Sequence, residues 1–197
     1  MSGLESMGQG INNPTLILET FDGFLRKPID LIIYGRSAIA LGFNNPDPSH
    51  QSTLDVDAIL PTRQLDEIRH NDDFWGAQEK TNDCLQGNKL YFTHLFREED
   101  VILTPDWESK KVKIEMPLKH IRLFRPATVD LILTKMMRDD EQDLADIKFM
   151  IEQQPHVTAL LPSAMENARL PDVPEIRDIF ARVKLKVLGL LQQVASS

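Results

Sequence analysis

The chain has 197 residues, of which 42% are hydrophobic and 26% are charged, the composition of a globular protein that can bury a substantial core. Its formal net charge of −8 excludes a general role in coating nucleic acid, because that role requires a basic surface. No apolar run approaches the roughly 20 residues that cross a bilayer, so no membrane span is predicted.

Two features of the sequence bear on its cellular setting. Residues 1–13 lack the basic start and the apolar stretch of a secretory signal, and their Gly and Asn content predicts a frayed leader. The one cysteine, Cys84, cannot form an internal disulfide, and no zinc-binding Cys/His pattern is present. We therefore expect a reducing, cytoplasmic setting.

The first predicted elements are a helix and a strand. Residues 15–24 carry apolar side chains at helical spacing, and residues 29–34 form the near-continuous apolar run of a buried central strand. A turn that begins at Gly35 leads into a short helix over residues 38–41. Residues 44–52 are polar with two prolines, which predicts a loop.

Helical and strand patterns then alternate as far as residue 125. We predict a strand over residues 53–60, a helical region over 62–86 that is broken near 71–73, and a strand over 89–96. Three further short strands are predicted at residues 101–104, 111–116 and 120–124.

Beyond residue 125 the sequence predicts only helices, which are separated by prolines. The apolar stripe of the last one, residues 173–194, predicts core packing, with an interface to a second copy or to a partner protein as the alternative. This order predicts an α+β fold, with a sheet flanked by helices and a helical C-terminal module. We divide the chain into a core, residues 1–125, and a module, residues 126–197, with one integrated domain as the alternative.

A cluster of basic residues precedes this boundary. We expect it to be a lysine-protected edge strand, since edge strands commonly carry Lys. A local RNA-binding patch is the alternative. The cluster comprises Lys110, Lys111, Lys113, Lys119, Arg122 and Arg125.

The strand over residues 53–60 carries two acids, Asp55 and Asp57. Strand side chains alternate between faces, so both carboxylates would project from one face, while Val56 and Ala58 would face the opposite layer. Acids are unfavourable in strands, and neighbouring like charges repel unless a cation lies between them. The alternative is a merely exposed strand face. Beside a Gly-Ser turn at a helix start, the pair predicts a site for a divalent cation and a polyphosphate.

The turn GRS at residues 35–37, followed by LDVDA at residues 54–58 with Thr53 before it, resembles the polymerase-beta-like nucleotidyltransferase superfamily. A later segment, residues 126–151, resembles the helical region of minimal nucleotidyltransferases and AbiEii-type toxins. The resemblance implies a small mixed-sheet core that binds a nucleoside triphosphate, with Asp55 and Asp57 as catalytic metal ligands for Mg²⁺ or Mn²⁺.

The same resemblance assigns further site residues. Gly35, Arg36 and Ser37 would bind the nucleotide, with the backbone N–H groups after the turn holding phosphates at a helix start. Lys135 would contact phosphate as a catalytic residue, and Asp143 would contribute to the nucleotide site. Alternatively, Lys135 pairs on the surface with the acids that follow it.

Two other groups after the turn have open roles. Lys135 and Arg138 are predicted to share one helix face. Asp139, Asp143 and Asp146 could line one helix face at i, i+4 and i+7, although a solvated helix start explains the earlier acids, and Asp146 is the candidate for a structural partner.

The family usually supplies a third carboxylate from a following strand. Here the candidate strands offer His94, which could replace the acid or serve as a base, and Glu115, for which a cross-strand ion pair is the alternative.

The leading hypothesis is therefore metal-dependent transfer of a nucleoside monophosphate to an RNA, a protein or a small molecule, by an enzyme that is the toxin of a toxin–antitoxin pair. The second hypothesis is a catalytically degenerate fold that binds a nucleotide or a protein. The third is a phosphodiesterase that reuses the acid pair and His94.

Overall fold

The computed structural model describes residues 12–195, so the predicted leader lies almost wholly outside the described residues. Within this range the strands are β1 (Ile29–Tyr34), β2 (Asp55–Leu60), β3 (Tyr91–Arg97), β4 (Val112–Lys113) and β5 (Ile121–Arg125). The α-helices are α1 (Asn13–Phe24), α2 (Gly35–Gly42), α3 (Pro48–Gln51), α4 (Leu65–Arg69), α5 (Asp72–Leu85), α6 (Thr128–Lys135), α7 (Glu141–Gln153), α8 (Val157–Asn167) and α9 (Pro174–Ala195).

The five strands form one mixed sheet in the order β3-β2-β1-β5-β4. The central strand, β1, runs antiparallel to β2 and parallel to β5, and β2 runs parallel to β3. β1 has the predicted bounds because its apolar run is buried between two neighbours. A mixed sheet flanked by helices, with helices at the C-terminal end, confirms the predicted α+β class.

One face of the sheet packs against α1, α2 and α5. Val56 and Ala58 of β2 are fully buried in this layer, as their alternation with the two acids predicts. Phe21, Phe74 and Phe92 meet edge to face or tilted at its centre, with ring centroids 4.7–6.0 Å apart. Each of these rings contributes about 1.5–3 kcal/mol by burial, which fixes the helices on the sheet.

The opposite face is covered over only part of its length. A smaller apolar cluster of Ile32, Ile59, Val101, Leu103 and Trp107 covers the middle of this face. The two acids of β2 project from the same face, beyond this cluster. The uncovered end of the face is therefore where a polar site can form.

The helices after β5 extend the main core. α6 is buried along most of its length, and α9 contributes Phe180, Val183, Val187 and Leu191 to the same core. The stripe predicted for residues 173–194 is thus confirmed as core packing over its described side chains. One core includes residues on both sides of residue 125, whereas the division into two units at that point stays a prediction.

Three local predictions were wrong. The expected loop at residues 44–52 contains α3, whose first turn is capped when Ser49 N–H donates to the Asp47 side chain (2.8 Å). Residues 101–104 form only an isolated bridge from Leu103 to Arg169. Pro162 lies inside α8 instead of ending it, because apolar side chains on both sides of the proline anchor the helix in the core.

Among residues 12–195, no helix combines the length and the apolar character that a membrane crossing requires.

Candidate functional site

A cleft of about 580 Å³ opens where β1 ends and α2 begins. Its walls come from both halves of the chain. The lining residues are Tyr34, Gly35, Arg36, Thr53, Asp55, Asp57, His94, Phe96, Thr134, Lys135, Met137, Arg138, Gln142 and Asp143.

The acid pair occupies the middle of this cleft. Thr53 donates to Asp55 from its Oγ1 (3.2 Å), and the Asp57 side chain is 27% exposed. Burial raises the pKa of Asp57, and the neighbouring charge of Asp55 raises it further. A cation between the two carboxylates would relieve the repulsion that helps to raise the pKa of Asp57.

The first turn of α2 forms the wall beside the acid pair. Gly35 has a φ of +67°, in the left-handed region that glycine adopts without strain, and this lets the helix begin directly after β1. The residue before the helix, Tyr34, makes no side-chain capping hydrogen bond, and Gly35 and Arg36 of the first turn line the cleft. Ser37 is buried beneath the turn, and its Oγ donates to the carbonyl of Tyr34 (2.9 Å).

Tyr34 lies at the junction of β1 and α2, directly opposite Asp57 in the sheet register. Burial raises the pKa of the Tyr34 phenol, and the negative charge of Asp57 raises it further. Tyr34 therefore stays protonated across the physiological range, as an uncharged wall of the cleft.

A buried ion-pair network forms the opposite wall. Lys135 Nζ lies 2.8 Å from Asp143 Oδ1 and 2.7 Å from Asp146 Oδ2, and all three residues are at most 4% exposed. Burial acts to raise the pKa of Asp146, but its hydrogen bond to His50 and the charge of Lys135 outweigh burial and lower it. Asp146, the candidate for a structural partner, is thus an internal partner of Lys135, and Asp143 is buried in the same network.

The network continues into α3 and α2. His50 Nε2 lies 2.8 Å from Asp146 Oδ1, and Arg36 Nε lies 3.7 Å from Asp146 Oδ2. Arg36 also donates from Nη2 to Ser49 Oγ (2.7 Å). These contacts fasten the segment after α2 onto α7 and hold the guanidinium of Arg36, which is 20% exposed, at the rim of the cleft.

Arg138 lies at the mouth of the cleft. The prediction that it shares a helix with Lys135 was wrong, because α6 ends at Lys135 and Arg138 lies in the following linker. Its Nε and Nη2 donate to the two oxygens of Asp143 at 2.9 and 3.1 Å. These hydrogen bonds raise the pKa of Arg138 although burial opposes them, so the group stays cationic.

The edge strand β3 contributes a polar pair from the other side. A register shift between Val56 and Ala58 sets two β3 residues opposite Asp57, which is a β-bulge. Thr93 Oγ1 donates to Asp57 Oδ1 (3.1 Å), and His94 Nδ1 lies 3.3 Å from the same oxygen. Successive strand residues normally face opposite sides, so the bulge is what brings both to one carboxylate.

The structure brings six predicted site residues together along one cleft: Gly35, Arg36, Asp55, Asp57, Lys135 and Asp143. Ser37 lies just below it. Their functional roles stay predictions. Sequence reasoning did not assign His50, Thr93 and Phe96 to the site. His50 joins it through the side-chain network, Thr93 through the bulge, and Phe96 through the sheet face that it shares with His94. No local sequence pattern indicated these three contributions.

Two other candidate groups lie elsewhere. Glu115 pairs with Lys113 (2.9 Å) beside the edge strand β4, away from the cleft. In the basic cluster, Lys110 also pairs with an acid, and Arg125 is buried. Of this cluster, Lys113 lies on the edge strand β4, whereas Arg122 and Arg125 lie on the interior strand β5, so the edge-strand interpretation holds for only part of the cluster.

The donor atoms at the acid pair suit a hard cation. Mg²⁺ is commonly held by one or two carboxylates together with substrate phosphates and water, rather than by a protein cage. Within residues 12–195 no group of three or more His, Cys, Asp or Glu side chains could enclose a metal ion. A cation at Asp55 and Asp57 would therefore depend on a phosphate ligand to complete its shell.

Comparison with known proteins gives one match. The model of a family described as "Nucleotidyltransferase of unknown function (DUF6036)" matches residues 23–152, from the end of α1 to the end of α7. No match was found among curated proteins or among solved structures. The matched range contains every residue that lines the cleft.

Proposed function

Because the chain belongs to the nucleotidyltransferase family DUF6036, we propose that it moves a nucleoside monophosphate from a nucleoside triphosphate to an acceptor hydroxyl, with Mg²⁺ or Mn²⁺ bound at Asp55 and Asp57. The observation that carries this proposal is the position of the acid pair. Two mutually repelling carboxylates lie in a cleft beside an uncapped helix start.

The triphosphate would lie across the start of α2. The N–H groups of the first turn and the helix dipole favour phosphate at this place. The guanidinium group of Arg36 lies at this wall, and that of Arg138 lies at the mouth of the cleft against Asp143, so both supply positive charge to the cleft. Lys135 adds its charge from below, although two carboxylates already hold its ammonium group.

This placement sets the α-phosphate beside the acid pair. A divalent cation there would neutralise charge on the phosphate oxygens as the attacking and leaving oxygens exchange. The chain's own contribution is positioning: the α2 amides and Arg36 would hold the departing pyrophosphate, and Tyr34 would exclude water from one side. The acceptor oxygen bonds to the α-phosphorus while the bond to the pyrophosphate oxygen breaks, and the proton of the acceptor hydroxyl passes to solvent.

The acceptor and the biological role are finer parts of the proposal. An RNA, a protein or a small molecule would each offer a hydroxyl. The resemblance to minimal nucleotidyltransferases and AbiEii-type toxins supports a toxin role with an antitoxin partner. The basic cluster lends little support to RNA, since part of it is paired or buried and it lies towards the β4 edge, whereas the acid pair lies on β2.

Calorimetric titration of each ribonucleoside triphosphate, with and without Mg²⁺, tests the proposal. We expect Mg²⁺-dependent binding by the native protein, and its loss in Asp55→Asn and Asp57→Asn variants that keep the native circular dichroism spectrum. Asp178→Asn, an exposed site on α9, is the matched control and should bind as the native chain does. Binding that is unchanged in both acid-pair variants would refute the site.

A second candidate function has one observation in its favour. Within the described residues no third ligating side chain joins the pair in one metal-holding group, which favours a catalytically degenerate protein that binds nucleotide without transferring it. Pyrophosphate release, measured with a coupled pyrophosphatase assay, separates the two. Binding with release supports the transferase, and binding without release supports the degenerate fold.

A further inference from the structure

The β-bulge in β3 gives His94 a role beyond contact with Asp57. We propose that His94 Nε2 accepts the hydrogen bond of the acceptor hydroxyl and orients it for attack. This inference rests on the proposed nucleotidyl transfer, and it concerns the acceptor side of the same cleft.

The hydrogen bonds at Asp57 determine which atom of His94 is available. His94 Nδ1 lies 3.3 Å from Asp57 Oδ1, so this contact occupies Nδ1 and leaves Nε2 as the free ring nitrogen. The ring is anchored at one nitrogen, while the His94 side chain as a whole is 65% exposed. Nε2 is thus a ring nitrogen that the protein holds at the edge of the cleft.

The strand order places this atom on the attacking side. The helix start that would hold the pyrophosphate follows β1, the acid pair lies on β2, and His94 lies on β3, in that spatial order. In an in-line displacement the attacking and leaving oxygens lie on opposite sides of the phosphorus. With pyrophosphate on the α2 side, the acceptor arrives from the β3 side, where His94 stands.

The neighbours of His94 indicate the class of acceptor. The ring of Phe96 packs beside the imidazole, with centroids 5.6 Å apart and planes at 40°, and Met137 lines the same cleft. No lysine or arginine on β3 lines this side within the described chain. The wall therefore fits a hydroxyl carried on an uncharged, apolar or planar body.

Three substitutions at residue 94 separate this role from a purely structural one. In His94→Asn the amide nitrogen can replace Nδ1 and keep the contact with Asp57, but nothing replaces Nε2. In His94→Gln the amide oxygen can replace Nε2. His94→Ala removes both, and His156→Ala, an exposed histidine at the start of α8, is the control.

Transfer is measured with the four ribonucleoside triphosphates labelled at the α-phosphate, with Mg²⁺ and with benzyl alcohol as the probe acceptor. We expect about tenfold slower formation of the benzyl nucleotide ester in the Ala and Asn variants, a smaller loss in Gln, and no loss in His156→Ala. Triphosphate affinity, measured by calorimetry, should be the same in all of them.

Two results would overturn the role of His94 alone. One is a transfer rate in His94→Ala equal to that of the native chain. The other is a native rate in His94→Asn with a reduced rate in His94→Gln, which would mean that the ring only holds Asp57. A native chain that releases pyrophosphate but forms no benzyl ester would overturn the apolar acceptor, and one that binds triphosphate without releasing pyrophosphate would overturn the reaction and this inference together.

Discussion

The ammonium group of Lys135, at the end of α6, lies 2.7 Å from the carboxylate of Asp146 on α7, and both residues are almost completely buried. The same nitrogen also contacts Asp143, so one cation holds two buried acids. An ion pair of this kind is costly to break because each remaining charge stays in the interior.

Lys135→Met should therefore destabilise the protein by about 3–5 kcal/mol, measured by urea denaturation. Lys148→Met is the control: that lysine is 59% exposed and lies 3.8 Å from Glu152, and its loss should cost about 0.5 kcal/mol or less. If Lys135→Met were as stable as the control but failed to bind triphosphate, Lys135 would be a phosphate ligand rather than an internal partner.

Gly35→Ala should cost about 1–2 kcal/mol through its backbone alone. The positive φ of Gly35 disfavours any Cβ, although no atom lies within 4 Å of the added methyl group. Gly76→Ala, in the interior of α5 and also in open space, should instead gain about 0.5–1 kcal/mol. Equal effects of the two substitutions on the free energy of unfolding would contradict this account.

Asp57→Asn should stabilise the metal-free protein at pH 7 by about 1 kcal/mol, because it removes a partly buried charge that Asp55 repels. The folded-state pKa of Asp57 lies above its ordinary value of 3.8, so the folded chain takes up the proton first as pH falls. The advantage of the variant should thus be full above the folded-state pKa and shrink as pH falls towards 3.8. Unfolding free energies between pH 7 and pH 4 would test this, and a variant less stable than the native chain at pH 7 would refute it.

Glu98→Gln should destabilise the protein by about 2 kcal/mol near neutral pH. Glu98 accepts hydrogen bonds from Thr62, Trp107 and Arg169, and these outweigh burial and lower its pKa from 4.5 to about 2. The difference in free energy of unfolding between the native chain and the variant should be complete above pH 4.5 and disappear as pH falls towards 2. A difference in unfolding free energy that is constant from pH 7 to pH 3 would show that the charge of Glu98 is not involved.

Much of the sheet could be predicted because its signals are local. The apolar run of β1 and the alternation in β2 follow from burial and from the period of two, and both acids lie on the predicted face. β3 was predicted within two residues at its start and one at its end.

The rest of the site depends on contacts that leave no local mark. His50 and Asp146 are 96 residues apart in the chain, and nothing near His50 indicates a buried partner. Asp146 was a candidate for a structural partner, and Lys135 for pairing with the acids that follow it, but the charged sequence around them gave no sign that this pairing is buried. The bulge that turns His94 towards Asp57 is a property of strand pairing, so β3 alone could not reveal it.

The fastening of α3 to α7 has a consequence for how the protein is made. A chain emerging from the ribosome exposes both acids of β2 long before Asp146 is synthesised. Until α7 appears, Arg36 and His50 lack the carboxylate that holds them in place. We expect an unfinished chain that ends at residue 125 to bind no triphosphate, so triphosphate binding would begin only late in translation.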